Sequence, residues 1–411
     1  MTTRRVFLKS SAMAMVGMGA TPAWLSRALY AKDAPSPRKK ILVAIFQRGA
    51  MDGLNVVVPH GEAAYYDLRP NLALPRPDGT PDSVIDLDGF FGLHPSLQPL
   101  KPIYDAGHLA IVHAAGSPDP TRSHFDAQDY MESGTPGMKT TGDGWLNRAL
   151  EGKSKSPVRA VGLGPEIPRA LRGSHDAVTV DSIDNFRVRN PAGAAAFEKM
   201  YEGARDQVLN GTGREAFEAV KLLQSVQKQS YRPANGAQYP NGKLGQELMQ
   251  IARLIKADVG LEVAFTDLRG WDHHVNEVGA KPSVGQLANL LAQFGQALAA
   301  FYADLGDRMG EVSVVTMSEF GRTAKENGAR GTDHGHANAM FALGGGIKGG
   351  KVYGDWPGME REQLYEERDL DVTTDFREVL GELVTRHMGN PRLSEVFPGY
   401  QSRGFRGIVA G

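Results

Sequence analysis

Short runs of β-favouring apolar residues alternate with longer helical patterns along this chain, and the alternation limits the folds it can adopt. Six runs are typical of strands: Ile41–Phe46, Leu109–His113, Val158–Leu163, Val259–Phe265, Val312–Met317 and Ala339–Leu343. Helical patterns occur at Ala194–Leu209, Arg214–Ser230, Lys243–Ala257, Ser283–Met309 and Thr374–Met388. A strand such as ILVAIF is apolar at every position and needs cover on both faces. The pattern therefore predicts an α/β fold, a three-layer α/β/α sandwich around a mostly parallel central sheet.

The folded domain is predicted to begin near Ile41. Residues 1–31 contain Thr3-Arg4-Arg5-Val6-Phe7-Leu8-Lys9 and then a mildly apolar stretch, the pattern of a twin-arginine signal peptide. Residues 32–40, rich in proline and lysine, are interpreted as a linker. Residues 41–411 are expected to form one catalytic domain with a helical insertion at about residues 190–258, where strand signals are weak.

The signal peptide predicts where the protein acts. The twin-arginine translocase would be its partner during export, and the mature protein would be periplasmic or secreted. No later segment is apolar enough for a membrane span, so none is expected in the mature protein.

The composition excludes several kinds of site and partner. The 411-residue chain has no cysteine, which excludes disulfides, thiolate zinc sites, iron–sulfur clusters and a cysteine nucleophile. Its formal net charge is −1, so there is no electrostatic reason to expect nucleic acid as a partner. Any metal ion must therefore be bound by histidine, carboxylate or hydroxyl groups.

Such groups follow the predicted strands. In open α/β sheets, ligands bind beyond the carboxyl ends of the strands. The candidate metal ligands found there are Asp52, Asp272, His274, Glu319, His334 and His336. In an extended segment, residues two apart point the same way, which pairs Asp272 with His274 and His334 with His336. Oxygen and imidazole donors without sulfur suit one or two divalent ions, Zn²⁺, Mn²⁺ or Mg²⁺.

Several of these residues also have an ordinary structural interpretation. Asp52-Gly53 alone is a common turn dipeptide. Asp333 either coordinates a metal or orients a neighbouring histidine, and one or both of His334 and His336 bind. These alternatives stay open at the level of sequence.

Candidate catalytic and substrate-binding residues flank the same strands. Ser123 opens Ser123-His124-Phe125-Asp126, which is both a capping box and a plausible place for a nucleophilic hydroxyl at a helix N-terminus. Arginines beside the motifs either hold an anionic substrate or form structural ion pairs. We assign a catalytic role to Ser123 and Arg322. The substrate-binding candidates are Arg48, Asn55, Arg122 and His124.

Six segments together resemble a known family. In chain order they are FQRGAMDGLNVVVP, SHFDAQDYMESGTP, GWLNRAL, GWDHHVN, SEFGRT and GTDHGHAN. They resemble the twin-arginine-exported proteins of the "domain of unknown function 1501" family, from about Ile41 to the C-terminus. That family is in turn similar to the alkaline phosphatase and sulfatase superfamily, whose members have metal ligands at strand ends and a nucleophile that caps a helix.

The resemblance implies roles for individual residues. Asp52 matches the metal carboxylate after the first strand, and Ser123 falls in the nucleophile segment. Asp272 and His274 match a pair of ligands, and Glu319 matches a further acidic ligand. His334 or His336 matches the histidine ligand near the last strand of the set. The sulfatase signature is missing, because Ser123 is followed by His124-Phe125-Asp126 and not by proline and arginine.

The sequence thus leads to two hypotheses. The first is an exported metal-dependent hydrolase that acts on a small-molecule or glycan phosphoester or a related anionic ester, in the manner of a phosphatase or phosphodiesterase. The second is a non-catalytic exported protein with the same alkaline phosphatase-like fold that binds a metal or another ligand, in which Ser123 only caps a helix.

Overall fold

The computed structural model describes residues 40–152, 154, 156–184 and 218–410. The predicted signal peptide, all of the linker except Lys40 and the predicted helix Ala194–Leu209 lie outside the described residues. The predicted helical insertion is described only from residue 218 onward. There, residues 218–227 are helical within the predicted helix Arg214–Ser230.

Twelve strands are present in the described residues. They are β1 (Ile41–Arg48), β2 (Val57–Val58), β3 (Ile85–Asp86), β4 (Gly92–Leu93), β5 (Leu109–Gly116), β6 (Ala160–Leu163), β7 (Val178–Val180), β8 (Val263–Arg269), β9 (Val312–Met317), β10 (Asn338–Gly344), β11 (Lys351–Tyr353) and β12 (Thr374–Asp375). All six predicted strands are confirmed. The fourth begins at Val263 rather than Val259, because Asp258 (φ 53°) and Gly260 (φ 81°) turn the chain first.

Nine strands form the central sheet, and the other three form a small antiparallel sheet in the order β2-β4-β3. The order of the central sheet is β11-β5-β10-β9-β1-β8-β6-β7, and β12 pairs with β5. Every pairing in it is parallel except those of β10, which runs antiparallel to both β5 and β9. The mostly parallel sheet predicted from the sequence is confirmed.

The helices cover both faces of this sheet. They are α1 (Gly53–Val56), α2 (Ala63–Leu68), α3 (Lys101–Asp105), α4 (His124–Ser133), α5 (Trp145–Arg148), α6 (Lys243–Lys256), α7 (Gln286–Leu305), α8 (Phe376–Glu382) and α9 (Leu393–Val396). Short 3₁₀ helices lie at Pro95–Leu100, Arg169–Leu171, Gly306–Glu311 and Arg361–Gln363, and a π turn at Leu383–His387. The predicted helix Thr374–Met388 starts only at Phe376, because the Asp375 side chain accepts from the backbone N–H of Arg377 and caps it.

Strand β1 packs against both layers of helices. Its side chains at 41, 43 and 45 pack into one apolar core with residues of α6 and α7. Its side chains at 42, 44 and 46 pack into a second core with Trp145, Phe376 and Phe397. Since successive side chains of a strand point to opposite faces, one buried strand contributes to both cores. This arrangement confirms the three-layer α/β/α sandwich.

The reversed strand β10 decides where the functional residues meet. Strands β1, β5, β8 and β9 end at one edge of the sheet, and β10 begins at that edge because it runs the other way. The segment GTDHGHAN, which leads into β10, therefore lies beside the segments that follow the parallel strands. Among the described residues, no helix has the length and apolar character needed to cross a membrane.

Candidate metal centre

Three histidines and one aspartate bring their polar atoms together at this edge. Nε2 of His334 lies 3.0 Å from Nε2 of His124 and 3.0 Å from Nε2 of His274. Oδ1 of Asp272 lies 3.0 Å from Nε2 of His274 and 3.3 Å from Nε2 of His334, and Oδ2 lies 3.4 Å from Nε2 of His124. We call these four residues the His–Asp cluster. They come from three separate segments, after β5, after β8 and before β10.

The other ring nitrogen of each histidine already has a hydrogen-bond acceptor. Nδ1 of His124 lies 2.8 Å from Oε1 of Glu319, and Nδ1 of His274 lies 3.0 Å from Oδ1 of Asp333. Nδ1 of His334 lies 2.9 Å from the carbonyl oxygen of Arg122. A carboxylate or a carbonyl only accepts, so each Nδ1 carries the proton and each Nε2 presents a lone pair.

The Nε2 lone pairs and the Asp272 carboxylate form a group of electron donors that a cation would stabilise. One protonated imidazole would satisfy a single contact, and the one lone pair of His334 Nε2 cannot accept two well-aligned hydrogen bonds. The ligand atoms of His124, Asp272 and His334 all lie within 4.8 Å of one another, as a shared metal ion requires. Nε2 of His274 is not in this group of three, and it adjoins the group through His334 and Asp272. Histidines that bind metals usually donate their second ring N–H to a carboxylate or a carbonyl, as all three do here. The cluster therefore fits a divalent metal ion.

Arg322 fixes the carboxylate of the cluster. Its buried guanidinium donates through Nη2 to Oδ1 of Asp272 over 2.5 Å and to the carbonyl oxygens of Gly49 and Trp271. Partial burial alone would raise the pKa of Asp272, but the hydrogen bond and the charge of Arg322 bring that pKa down to about 2. Asp272 is therefore ionised at neutral pH, and it stays 45% exposed at the open side of the cluster.

Glu319 lies behind His124 and does not face the shared centre. Its Oε1 accepts from Nδ1 of His124, from the backbone N–H of Gly49 and, over 2.7 Å, from Nε2 of Gln128. Burial would raise the pKa of Glu319, yet these hydrogen bonds lower it below its usual value. The same contact with Glu319 raises the pKa of His124, whereas burial lowers the pKa of His334.

Asp52 lies in a different, buried network. Both of its oxygens accept from the guanidinium of Arg69, over 2.5 and 3.0 Å, and Arg69 also donates to Oδ1 of Asn55. Burial and the nearby Asp52 raise the pKa of Glu277, which belongs to the same network, well above its usual value. Asp52 and Asn55 are thus brought together with each other but not with the His–Asp cluster.

His336 faces away from His334. Its buried ring has Nε2 3.1 Å from the carbonyl oxygen of Ser117 and packs against Tyr365. His334 forms a β-bridge with Arg322, and the chain then bends at His336. Gly335 lies against the backbone of Arg322, where an added Cβ would come within 2.3 Å of the carbonyl carbon. Residues two apart point the same way only in an extended strand, and the bend ends that geometry.

Ser123 precedes His124 of the cluster directly in the chain, and Arg122 and Arg48 are held by ion pairs. Ser123 is the N-cap of α4, and its Oγ accepts from the backbone N–H of Asp126 over 3.5 Å. Arg48 donates to Asp267 and Glu132 over 2.7 and 2.8 Å. Arg122 pairs with Asp369 and Glu366. Arg48 also lines a pocket of about 260 Å³ with His124, Gln128, Arg269 and Asp272, next to the cluster.

Two residues near the site, His124 and Arg69, have contacts that the sequence does not predict. His124 was expected to bind substrate, but it contributes Nε2 to the cluster. Arg69 was not singled out, and no motif marks it, because it pairs with Asp52 across seventeen positions of chain. His124 could have been identified as a ligand by its position after strand β5. Position next to a strand also identified Asp272, after β8, and His334, before β10.

The chain matches a family model and several solved structures. Residues 39–395 match the model described as "Protein of unknown function (DUF1501)". No curated protein matches significantly. A protein in the alkaline phosphatase superfamily from Vibrio parahaemolyticus aligns with 77% of this chain and 62% of its own, less than two thirds of its length, at 10% identity and a TM-score of 0.32.

Two further structures align in the same way. The alignment with the lipoteichoic acid synthase LtaP from Listeria monocytogenes covers 77% of this chain and 68% of that protein, at 9% identity and a TM-score of 0.36. The PsFucS1 sulfatase from Pseudoalteromonas sp. covers 94% and 75%, at 12% identity and a TM-score of 0.41. The family model covers most of the chain and includes every residue of the His–Asp cluster. The chain therefore belongs to the DUF1501 family of proteins of unknown function.

Proposed function

We propose that this protein is a metal-dependent hydrolase of a phosphoester or a related anionic ester. The observation that supports this most directly is the convergence of His124, Asp272 and His334 at the carboxyl edge of the sheet, with Nε2 of His274 beside His334 and Asp272. The side chains of His124, Asp272, His274 and His334 are 24%, 45%, 39% and 24% exposed. A substrate can therefore reach the cluster from solvent.

The donor set favours one ion, and Zn²⁺ or Mn²⁺ over Mg²⁺. Three imidazoles and one carboxylate suit Zn²⁺ and Mn²⁺, whereas Mg²⁺ prefers a shell of oxygen. The carboxylates that a second ion would need are engaged elsewhere, Asp52 by Arg69 and Glu319 by His124, Gly49 and Gln128. A divalent ion in the cluster would supply Lewis acidity towards an ester oxygen.

The protein groups around the cluster support ester chemistry. In the proposal, Ser123 is the nucleophile: it stands at the N-terminus of the ten-residue helix α4, where unpaired N–H groups and the helix dipole stabilise negative charge. Arg322 keeps Asp272 ionised and in place. Arg48, which lines the pocket beside Asp272, would attract the anionic part of the reacting ester.

We also propose export by the twin-arginine translocase to the periplasm or the medium, supported by the sequence of residues 1–31. Fractionation of cells that express the full chain would test it. Arg4→Lys/Arg5→Lys should retain the protein in the cytoplasm, and unchanged export of this variant would contradict the proposal.

The hydrolase proposal is tested by measuring metal content and turnover together. The wild type, reconstituted with Zn²⁺ or Mn²⁺, should hydrolyse 4-nitrophenyl phosphate or bis(4-nitrophenyl) phosphate. Ser123→Ala should keep its metal and lose at least about 100-fold in kcat. Bound metal with no turnover on a broad panel of phosphate and other anionic esters would contradict hydrolysis and favour the non-catalytic hypothesis, in which Ser123 only caps α4.

A further inference from the structure

A second cleft of about 550 Å³ adjoins the pocket beside the His–Asp cluster. It opens beyond the carboxyl ends of β6 and β8, and its walls include Leu163, Gly164 and Phe265. Arg48 and Arg269 line both this cleft and the smaller pocket, so the two cavities are neighbours. A substrate bound at the cluster would reach the cleft by passing these two side chains.

The base of the cleft consists of basic side chains held rigidly by acids. Asp267 accepts from Nε of Arg48 over 2.7 Å and from Nζ of Lys243 over 2.5 Å. Glu132 accepts from Nη2 of Arg48 over 2.8 Å, and Asp129 pairs with Arg169. These pairs fix the positions of the guanidinium groups, which lowers the entropy cost of binding an anion there.

Two arginines at the mouth of the cleft are left without such neutralisation. Arg172 is exposed and donates through Nε to the carbonyl oxygen of Ile167, and among the described residues no carboxylate lies within ion-pair distance of it. The Arg269 side chain is 74% exposed, and its nearest carboxylate, Asp267, is 3.4 Å away and already held by two closer cations. Glu166 is an exposed acid at this mouth, and it has no basic partner among the described residues.

The arginines also crowd one another. Burial and the charge of Arg172 both lower the pKa of Arg169, and Nε of Arg169 is buried without a hydrogen-bond partner. An anion placed between these groups would relieve their repulsion and supply acceptors for their N–H donors.

We propose that this cleft binds a second anionic group of the substrate through Arg172 and Arg269. The inference rests on the proposed function and narrows it: the preferred substrate is an anionic ester that carries another phosphate, carboxylate or sulfate group beyond the ester that is hydrolysed. Arg172 and Arg269 are then specificity-determining residues, while the His–Asp cluster handles the reacting ester.

The test compares two probes that differ in one charged group. Propylphosphonate carries one anionic group, and 1,3-propylenediphosphonate carries two at similar length. Calorimetric titration of the metal-reconstituted wild type should give at least tenfold tighter binding of the diphosphonate. Arg172→Gln/Arg269→Gln should abolish this preference and leave the affinity for propylphosphonate within twofold.

Arg361→Gln is the matched control, because Arg361 is equally exposed and lies outside the cleft, and it should keep the preference.

A wild type that binds the two probes equally, or binds neither, would overturn the inference, as would a preference that survives the double substitution. Since the titration requires no turnover, it separates the two proposals. If the protein hydrolyses aryl phosphates but binds the two probes equally, only the proposal of an anion site in the cleft is contradicted. A preference for the diphosphonate in a protein without turnover supports the cleft as an anion site and contradicts hydrolysis.

Discussion

Nδ1 of His124 lies 2.8 Å from Oε1 of Glu319, on the side of the imidazole opposite to the Nε2 that faces His334. Glu319 therefore determines which nitrogen of His124 keeps its lone pair. A buried carboxylate in this position orients the ring and makes Nε2 a stronger donor to a metal. The sequence predicts that Glu319 itself binds the metal, and its geometry suggests this orienting role instead.

Glu319→Gln tests the orienting role. The amide can still accept from His124 but no longer carries the negative charge, so the Kd for Zn²⁺ should rise by about 10- to 100-fold. The number of ions bound at saturation should stay the same. Competition with a chromophoric chelator measures both quantities. Complete loss of binding would make Glu319 a direct ligand, as the sequence predicts.

We expect Asp52 to contribute to the stability of the fold and not to metal binding. Arg69→Met leaves the Asp52 carboxylate buried without its cation and should lower the free energy of unfolding by about 3–5 kcal/mol. Adding Asp52→Asn should recover part of that loss, because it removes the unpaired charge. Asp52→Asn alone should leave the Kd for Zn²⁺ within twofold of the wild type. Denaturant unfolding and metal titration check these outcomes, and a loss of metal affinity in Asp52→Asn would support the sequence-based role of Asp52 as a ligand.

Arg322→Lys tests the support of Asp272. A lysine cannot reproduce the fork that joins Asp272 to the carbonyl oxygens of Gly49 and Trp271. We expect the free energy of unfolding to fall by about 2–4 kcal/mol and metal affinity to weaken by about tenfold or more. Thermal unfolding with and without Zn²⁺ measures both effects. An unchanged melting temperature would show that the guanidinium contributes little.

Two buried histidines predict a loss of stability in acid. Burial lowers the pKa of both His113 and His387 from 6.5 to about 4. His113 donates from Nε2 to the carbonyl oxygen of Val57 and accepts at Nδ1 from the N–H of Ala114, so protonation would break the second bond. The folded pKa lies below the unfolded value, so the stability is present above pH 6.5 and is lost as the pH falls towards 4.

Each of these histidines should contribute about 2 kcal/mol to the loss between pH 7.5 and pH 5.0. Denaturant unfolding at pH 5.0 and pH 7.5 in the presence of EDTA measures the effect without a contribution from the loss of bound metal in acid. Equal stability at the two pH values would contradict it.

The sheet could be predicted because its strands are encoded locally. ILVAIF and VSVVTM are apolar at every position, and only a strand with both faces covered explains them. The direction of β10 could not be predicted, since nothing within Asn338–Gly344 distinguishes a parallel from an antiparallel neighbour. Yet this reversal is what brings His334 to the same edge as Asp272.

The candidate site was predictable in part for the same reason. Asp272, His274 and His334 follow or precede strands and could be identified by position alone. The different environments of His334 and His336 depend on the contact of Gly335 with the Arg322 backbone, which joins segments thirteen positions apart. The partner of Asp52 likewise depends on how α2 packs, which no short motif encodes.

The geometry distinguishes His334, which we expect to bind a metal ion, from His336, which we expect not to bind it. The direct measurement is calorimetric titration of Zn²⁺ into the apoprotein and into His334→Ala and His336→Ala, two substitutions of the same kind in one loop. We predict one ion per chain for the wild type and for His336→Ala, and at least 100-fold weaker binding for His334→Ala. Equal affinity in His334→Ala and the wild type, or loss of binding in folded His336→Ala alone, would contradict a metal centre that contains His334.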